Sequence, residues 1–202
     1  MINTIIFDLG GVLIDWNPRY LYQKIFETEE EIDYFLENIC TSDWNEEQDG
    51  GRSLAEATQI LVDKHPEHKV AIEHYYGRWE EMLNGEISGT VEVFEKLKKS
   101  GKYKLYALTN WSSETFPIAL KRFPFLSYFD GIVVSGTEKD RKPFPSFYQL
   151  MLDRYEIDPA TAIFIDDRYS NIEGAEKVGI SGIHYTDPVQ LEKDLKAKGV
   201  TF

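Results

Sequence analysis

The 202-residue chain holds a single cysteine, Cys40, so no disulfide can form within it, as expected of a protein of the reducing cytoplasm. It has no apolar run of bilayer-spanning length, and its start lacks a basic stretch followed by an apolar one. Neither a membrane span nor a secretory signal is therefore expected. Positive charge is scarce: 22 Lys and Arg stand against 35 Asp and Glu, a formal net charge of -13. Such a field repels nucleic acid and anionic membranes, so neither is expected as a partner. It repels small phosphates as well, so an anionic substrate needs local positive charge or a metal ion to hold it. His65, His68, His74 and His184 lack the spacing of a zinc site. No internal repeat or low-complexity tract appears. The remaining composition, 42% hydrophobic and 28% charged, is that of a globular protein long enough for one substantial core and a smaller appended unit.

"TIIF" (Thr4 to Phe7) is a short, continuous apolar run, the pattern of a strand buried on both faces. From residue 17 to about 85 the texture is helical: "PRYLYQKIF", "EEEIDYFLENI", "LAEATQILVDKH" and "HKVAIEHYYGRWEEML" have helical spacing and no convincing strand. Beyond Thr90, strands ("YKLYALT", "GIVVS", "TAIFI", "GIHYT") alternate with helices ("VEVFEKLKKSG", "PSFYQLMLDRY", "SNIEGAEKVG", "PVQLEKDLKAKG"). That alternation predicts βαβ units and a parallel sheet, an α/β core interrupted after its first strand by a helical insert. The expected division is a core of 1–15 and 86–202 and a cap of 16–85.

Open parallel sheets bind ligands beyond the carboxyl ends of their strands. After "TIIF" comes Asp8; after "YKLYAL" come Thr109 and Asn110; the loop after "GIVVS" carries Lys142; after "TAIFI" come Asp166 and Asp167. Adjacent carboxylates at the end of a buried strand repel, and a divalent cation is the usual compensation. A carboxylate nucleophile, a hydroxyl and amide, a lysine and a hard-metal site together suit phosphoryl transfer. Asp8 attacks phosphorus, Mg²⁺ screens the anions, and Thr109, Asn110 and Lys142 hold the phosphate oxygens.

"FDLGGVL", "LTN", "RKP" and "FIDDRYSNIEGA" resemble the four ordered motifs of the haloacid dehalogenase-like hydrolase superfamily, and the helical insert resembles that family's C1 cap. The resemblance implies a Rossmann-like core, Mg²⁺ dependence and Asp8 as nucleophile. It further implies Asp8, the backbone carbonyl of Gly10 and Asp167 as direct metal ligands, with Asp166 binding directly or through water. Asn171 takes the position that supports the acidic loop. A small phosphorylated metabolite is the expected partner, and the chain is expected to be monomeric or dimeric.

Most phosphatases of this family carry a second Asp two residues after the nucleophile, where this chain has Gly10. Losing a positioned acid-base group costs about 10²- to 10⁴-fold in rate. A substrate with an easy leaving group, such as an anomeric sugar phosphate, tolerates that loss. "FDLG-x-V" and "DDxxxNIEGA" are also similar to the α-D-glucose-1-phosphate phosphatase branch, which shares the glycine. Asp15 or a cap residue could instead bring the proton. The competing readings are a haloacid dehalogenase proper and a non-catalytic binding or regulatory module. Trp16, Trp44, Asp49, Arg52 and Trp111 are the expected substrate contacts, since aromatic faces and polar groups suit a sugar ring.

Overall fold

The computed structural model covers residues 1–202. Thr4–Phe7 form β1, buried at every position. The chain then makes a short strand, β2 (Ile14–Trp16), before entering a run of helices: α1 (Arg19–Tyr22), α2 (Glu29–Asn38), α3 (Ser42–Asp49), α4 (Leu54–Lys64) and α5 (Lys69–Gly77). A 3-10 turn over Trp79–Met82 leads to β3 (Leu83–Glu86), which pairs antiparallel with β2. Next come α6 (Ser88–Ser100), β4 (Lys104–Thr109), α7 (Phe116–Arg122), β5 (Gly131–Val134), α8 (Ser135–Glu138) and α9 (Pro145–Tyr155). The chain closes with β6 (Ala162–Asp166), α10 (Tyr169–Glu176), β7 (Ser181–His184) and α11 (Pro188–Ala197).

Five strands form one parallel sheet in the order β5-β4-β1-β6-β7. β1 is central, which explains its uninterrupted apolar sequence. Ile5 and Phe7 face one apolar layer, with Phe94, Leu97 and Leu105, while Ile6 faces the other, with Phe147, Met151 and Phe164. Helices cover both faces, as the alternating pattern requires.

The helices start where the sequence provides caps. Thr28 and Glu31 form a reciprocal capping box on α2, and Thr41, Ser53 and Asp187 cap α3, α4 and α11. Gly101 ends α6 in the left-handed conformation at φ 67°, as expected of a C-terminal glycine. The insert departs from its sequence pattern in three respects: two helices are shorter than read, one helix is added, and one strand appears. "PRYLYQKIF" gives a single helical turn, and "HKVAIEHYYGRWEEML" breaks after Gly77 into α5 and the 3-10 turn. A helix, α3, fills the gap before Gly50. The third difference is β3, a strand within the stretch read as wholly helical. The expected boundaries at 15/16 and 85/86 therefore fall inside the β2–β3 ribbon.

Phe94 anchors α6 on the sheet. It is fully buried against Phe7, Phe125 and Phe129, with ring centroids 5.8, 6.2 and 4.5 Å away. Phe94→Ala should lower unfolding free energy by about 3–5 kcal/mol, read as a lower urea midpoint with an unchanged slope.

Candidate active site

Strand register brings the polar residues together. Phe7 lies opposite Ala107 on one side and Ile165 on the other, so the residues just beyond each strand emerge side by side. The Asp8 amide donates to the Ile165 carbonyl at 2.8 Å, which sets Asp8 level with Asp166.

Lys142 is the centre of the cluster. Only 2% exposed, it reaches Asp8 Oδ1 at 2.9 Å and Asp166 Oδ2 at 2.6 Å. Its backbone is held by Asn110: the Lys142 amide donates to Asn110 Oδ1 at 2.9 Å, and Asn110 Nδ2 donates to the Lys142 carbonyl at 3.0 Å. The Asn110 side chain thus clasps the lysine loop through both its polar atoms, with one N–H of Nδ2 left over. Asp166 is fully buried, and both its oxygens are engaged. Besides Lys142 they accept from Asn171 Nδ2 at 2.9 and 3.1 Å and from the Arg168 amide at 2.8 Å. Tyr148 in turn donates to the Asn171 carbonyl at 2.7 Å. Asp166 and Asn171 therefore form a fixed support for the lysine.

Asp167 is more exposed, and one oxygen from each of Asp8, Asp166 and Asp167 can lie within 4.8 Å of the others. Gly11, at φ 75°, makes room for Asp167: a Cβ there would sit 2.5 Å from Asp167 Oδ2. Burial pushes Asp8 up to about 7; Lys142 pulls it down, and Asp166 and Asp167 push it further up. Burial works against the Lys142 ammonium, but Asp166 and Asp8 outweigh it and hold its pKa above the ordinary value. Asp167 is raised by burial and by Asp166. Three carboxylates around one ammonium leave an excess of negative charge, and this donor set fits a hard divalent cation. Thr109, at the end of β4, is fully buried with no hydrogen-bond partner for its Oγ1.

Asp8, Gly10, Lys142 and Asp167 face Asn45, Glu46 and Asp49 of α3 across a cavity of about 390 Å³. A smaller alcove of about 60 Å³ opens beside it, lined by Trp16, Tyr76, Trp79, Trp111, Ser112 and Thr115. Gly10, Trp16, Asn45, Asp49 and Asn110 border both. Trp111 is fixed there by its Nε1 donating to Thr115 Oγ1 at 3.1 Å. Two expected contacts lie elsewhere. The Trp44 indole is buried inside the insert against Tyr75 and donates to the Ala57 carbonyl at 3.3 Å. Arg52 donates to Gln48 Oε1 at 2.7 Å and the Trp44 carbonyl at 3.2 Å, tying down the end of α3. Neither borders the cavity or the alcove. Asn45, Tyr76, Trp79, Ser112 and Thr115, and the Arg168–Glu46 ion pair (2.6 Å) that joins core to insert, were not foreseen. Asn45 and Asp49 are four residues apart on α3, a shared helix face that their spacing alone could have flagged.

The haloacid dehalogenase-like hydrolase model matches residues 5–184, and the chain belongs to that family. It is 29% identical to the phosphorylated carbohydrates phosphatase of Thermotoga maritima over 90% of this chain and 83% of that one. It is 27% identical to a sesquiterpene phosphatase of Aspergillus oryzae, over 95% and 93%. Among solved structures, a family enzyme from Bacteroides thetaiotaomicron, in a variant crystallised with magnesium and inorganic phosphate, superposes with a TM-score of 0.71. That pair is 23% identical over 93% and 95% of the two chains, a likeness of fold. No helix of this chain is long and apolar enough to cross a membrane.

Lys142→Met leaves two buried carboxylates without their cation. Without added metal it should destabilise the fold by about 3–5 kcal/mol, measured by urea unfolding.

Proposed function

We propose that the chain is a Mg²⁺-dependent phosphatase that hydrolyses a small phosphorylated metabolite, a sugar phosphate, through an aspartyl-phosphate on Asp8. The observation that carries this reading is the trio Asp8, Asp166 and Asp167, with ligand oxygens within 4.8 Å, gathered beside the Lys142 ammonium. In this reading Asp8, Asp167 and the Gly10 carbonyl hold the ion, with Asp166, which also orients the lysine, binding it directly or through water. When bound, the ion supplies charge neutralisation between the carboxylates and a phosphate dianion. Asp8 attacks phosphorus and the alcohol leaves; water then releases phosphate and restores the carboxylate. The Thr109 hydroxyl and the Lys142 ammonium steady the charge on the remaining phosphate oxygens.

The sugar assignment rests on the alcove. Trp16, Tyr76, Trp79 and Trp111 line it together with Asn45, Ser112 and Thr115, a mixture of aromatic and polar groups that suits a sugar ring. The Thermotoga relative, named for phosphorylated carbohydrates, supports it. The insert acts as a cap that closes over the bound ester and excludes water. A dehalogenase gains nothing from the acidic pair, because carbon–halogen cleavage by a carboxylate needs no metal.

With Mg²⁺, the enzyme should release inorganic phosphate from a panel of sugar phosphates. EDTA should abolish release, and added Mg²⁺ should restore it. Asp8→Asn should lower turnover by more than about a thousandfold, as for loss of a nucleophile. Activity that survives chelation, or chloride release from 2-chloropropionate without metal, overturns the proposal.

A further inference from the structure

We infer that Asp49, on the cap helix α3, is the proton donor to the leaving-group oxygen, the role that Gly10 cannot fill. The inference rests on the phosphatase reading and extends it to esters of ordinary alcohols, whose oxygen must be protonated to leave.

The geometry of the two cavities carries it. The large cavity holds Asp8, Lys142 and Asp167, so a phosphoryl group belongs there, and the aromatic alcove takes the rest of the substrate. The bond that breaks crosses the mouth between them. Among the residues bordering both spaces, Asp49 is the one with a carboxyl group. Gly10 borders the same two spaces, and an added Cβ there would meet nothing within 4 Å. The backbone at that point leaves the space open.

Competing acids are occupied. Glu46 is paired with Arg168 at 2.6 Å. Asp15 accepts from Tyr20 at 2.9 Å and from Asn84 at 2.9 Å, and it borders neither cavity. Asp49 has no cation partner. It is aimed by a relay: Gln48 Nε2 donates to Tyr76 Oη (2.9 Å), Tyr76 donates to Asn45 Oδ1 (3.0 Å), and Asn45 Nδ2 donates to Asp49 Oδ2 (3.2 Å). Burial pushes Asp49 up to about 7; Glu46 and Asp8 add to this, and the Ser112 amide and Arg168 oppose it. A carboxyl group so placed can hold a proton near neutral pH.

The steps balance. An Asp8 oxygen bonds to phosphorus as the phosphorus–oxygen ester bond breaks. Its electron pair stays on the leaving oxygen, which takes the Asp49 proton and departs as alcohol. Asp49, now a carboxylate, removes a proton from water. The water oxygen bonds to phosphorus, and the Asp8–phosphorus bond breaks to return the Asp8 carboxylate. Phosphate leaves, and Asp49 is again protonated.

The test compares p-nitrophenyl phosphate, whose phenolate leaves readily, with glycerol 2-phosphate, whose alkoxide does not. Alcohol released in the first turnover is followed with Mg²⁺ present. Asp49→Asn should slow glycerol release by about 10²- to 10⁴-fold, and nitrophenol release by at least about tenfold less. Adding Gly10→Asp to Asp49→Asn should recover glycerol release, which a residue serving only to hold the cap together would not allow. Equal losses on both esters, or no loss on either, overturn the inference. A wild-type enzyme that cleaves sugar phosphates but neither of these esters overturns this inference alone; one that cleaves no phosphate ester at all overturns the phosphatase reading, and this inference with it.

Discussion

The buried ammonium of Lys142 stands between Asp8 and Asp166, and the rest of the site is arranged around that contact. Removing Asp8, Asp166 and Lys142 from water is unfavourable, and mutual attraction offsets it only in good geometry with the remaining donors and acceptors satisfied. Asn110 holds the lysine's backbone from β4, Asn171 holds Asp166 from α10, and Tyr148 of α9 holds Asn171. Each support comes from a different part of the chain, so the arrangement exists only once the sheet has assembled. It still carries excess negative charge, which makes it receptive to a divalent ion and to a phosphate group brought in with one.

Much of this was legible in the sequence because a parallel sheet converts order along the chain into position in space. Asp8, Thr109 and the pair Asp166–Asp167 stand at the ends of buried strands, and Lys142 lies in the segment that follows β5 and α8. What the sequence did not disclose depends on partners that sequence spacing cannot reveal. The bonds from the Asn110 side chain to the Lys142 backbone, 32 positions away, leave no mark in the spacing. Trp44 and Arg52 sit near a glycine break and look like ligand contacts, yet packing turns both inward. α3 went unseen because "SDWNEEQD" is almost wholly polar and lacks an apolar stripe. β3 went unseen because "LNGE" has little of a strand's composition and is ordered mainly by pairing with β2.

The division of labour between core and insert follows from the same physics. The core provides rigid, buried charge at strand ends. The insert provides one helix face, with Asn45, Glu46 and Asp49, and ring surfaces from α5 and the turn after it. Arg168–Glu46 and Arg141–Glu47 ion pairs (2.6 and 3.4 Å) span the two, and the Leu54 amide donates to Glu114 Oε1 at 2.9 Å. These links are partly exposed, so each contributes little on its own.

The chain leaves the sheet through β2 and returns through β3, and these two strands are bonded to each other. Departure and return points are thereby pinned side by side, whatever lies between them. Helices there can be lengthened, shortened or exchanged without shifting the alignment of β1 with β4, since the ribbon rather than the sheet absorbs the change. A lineage built on this plan can diversify what it recognises while its chemistry stays in place.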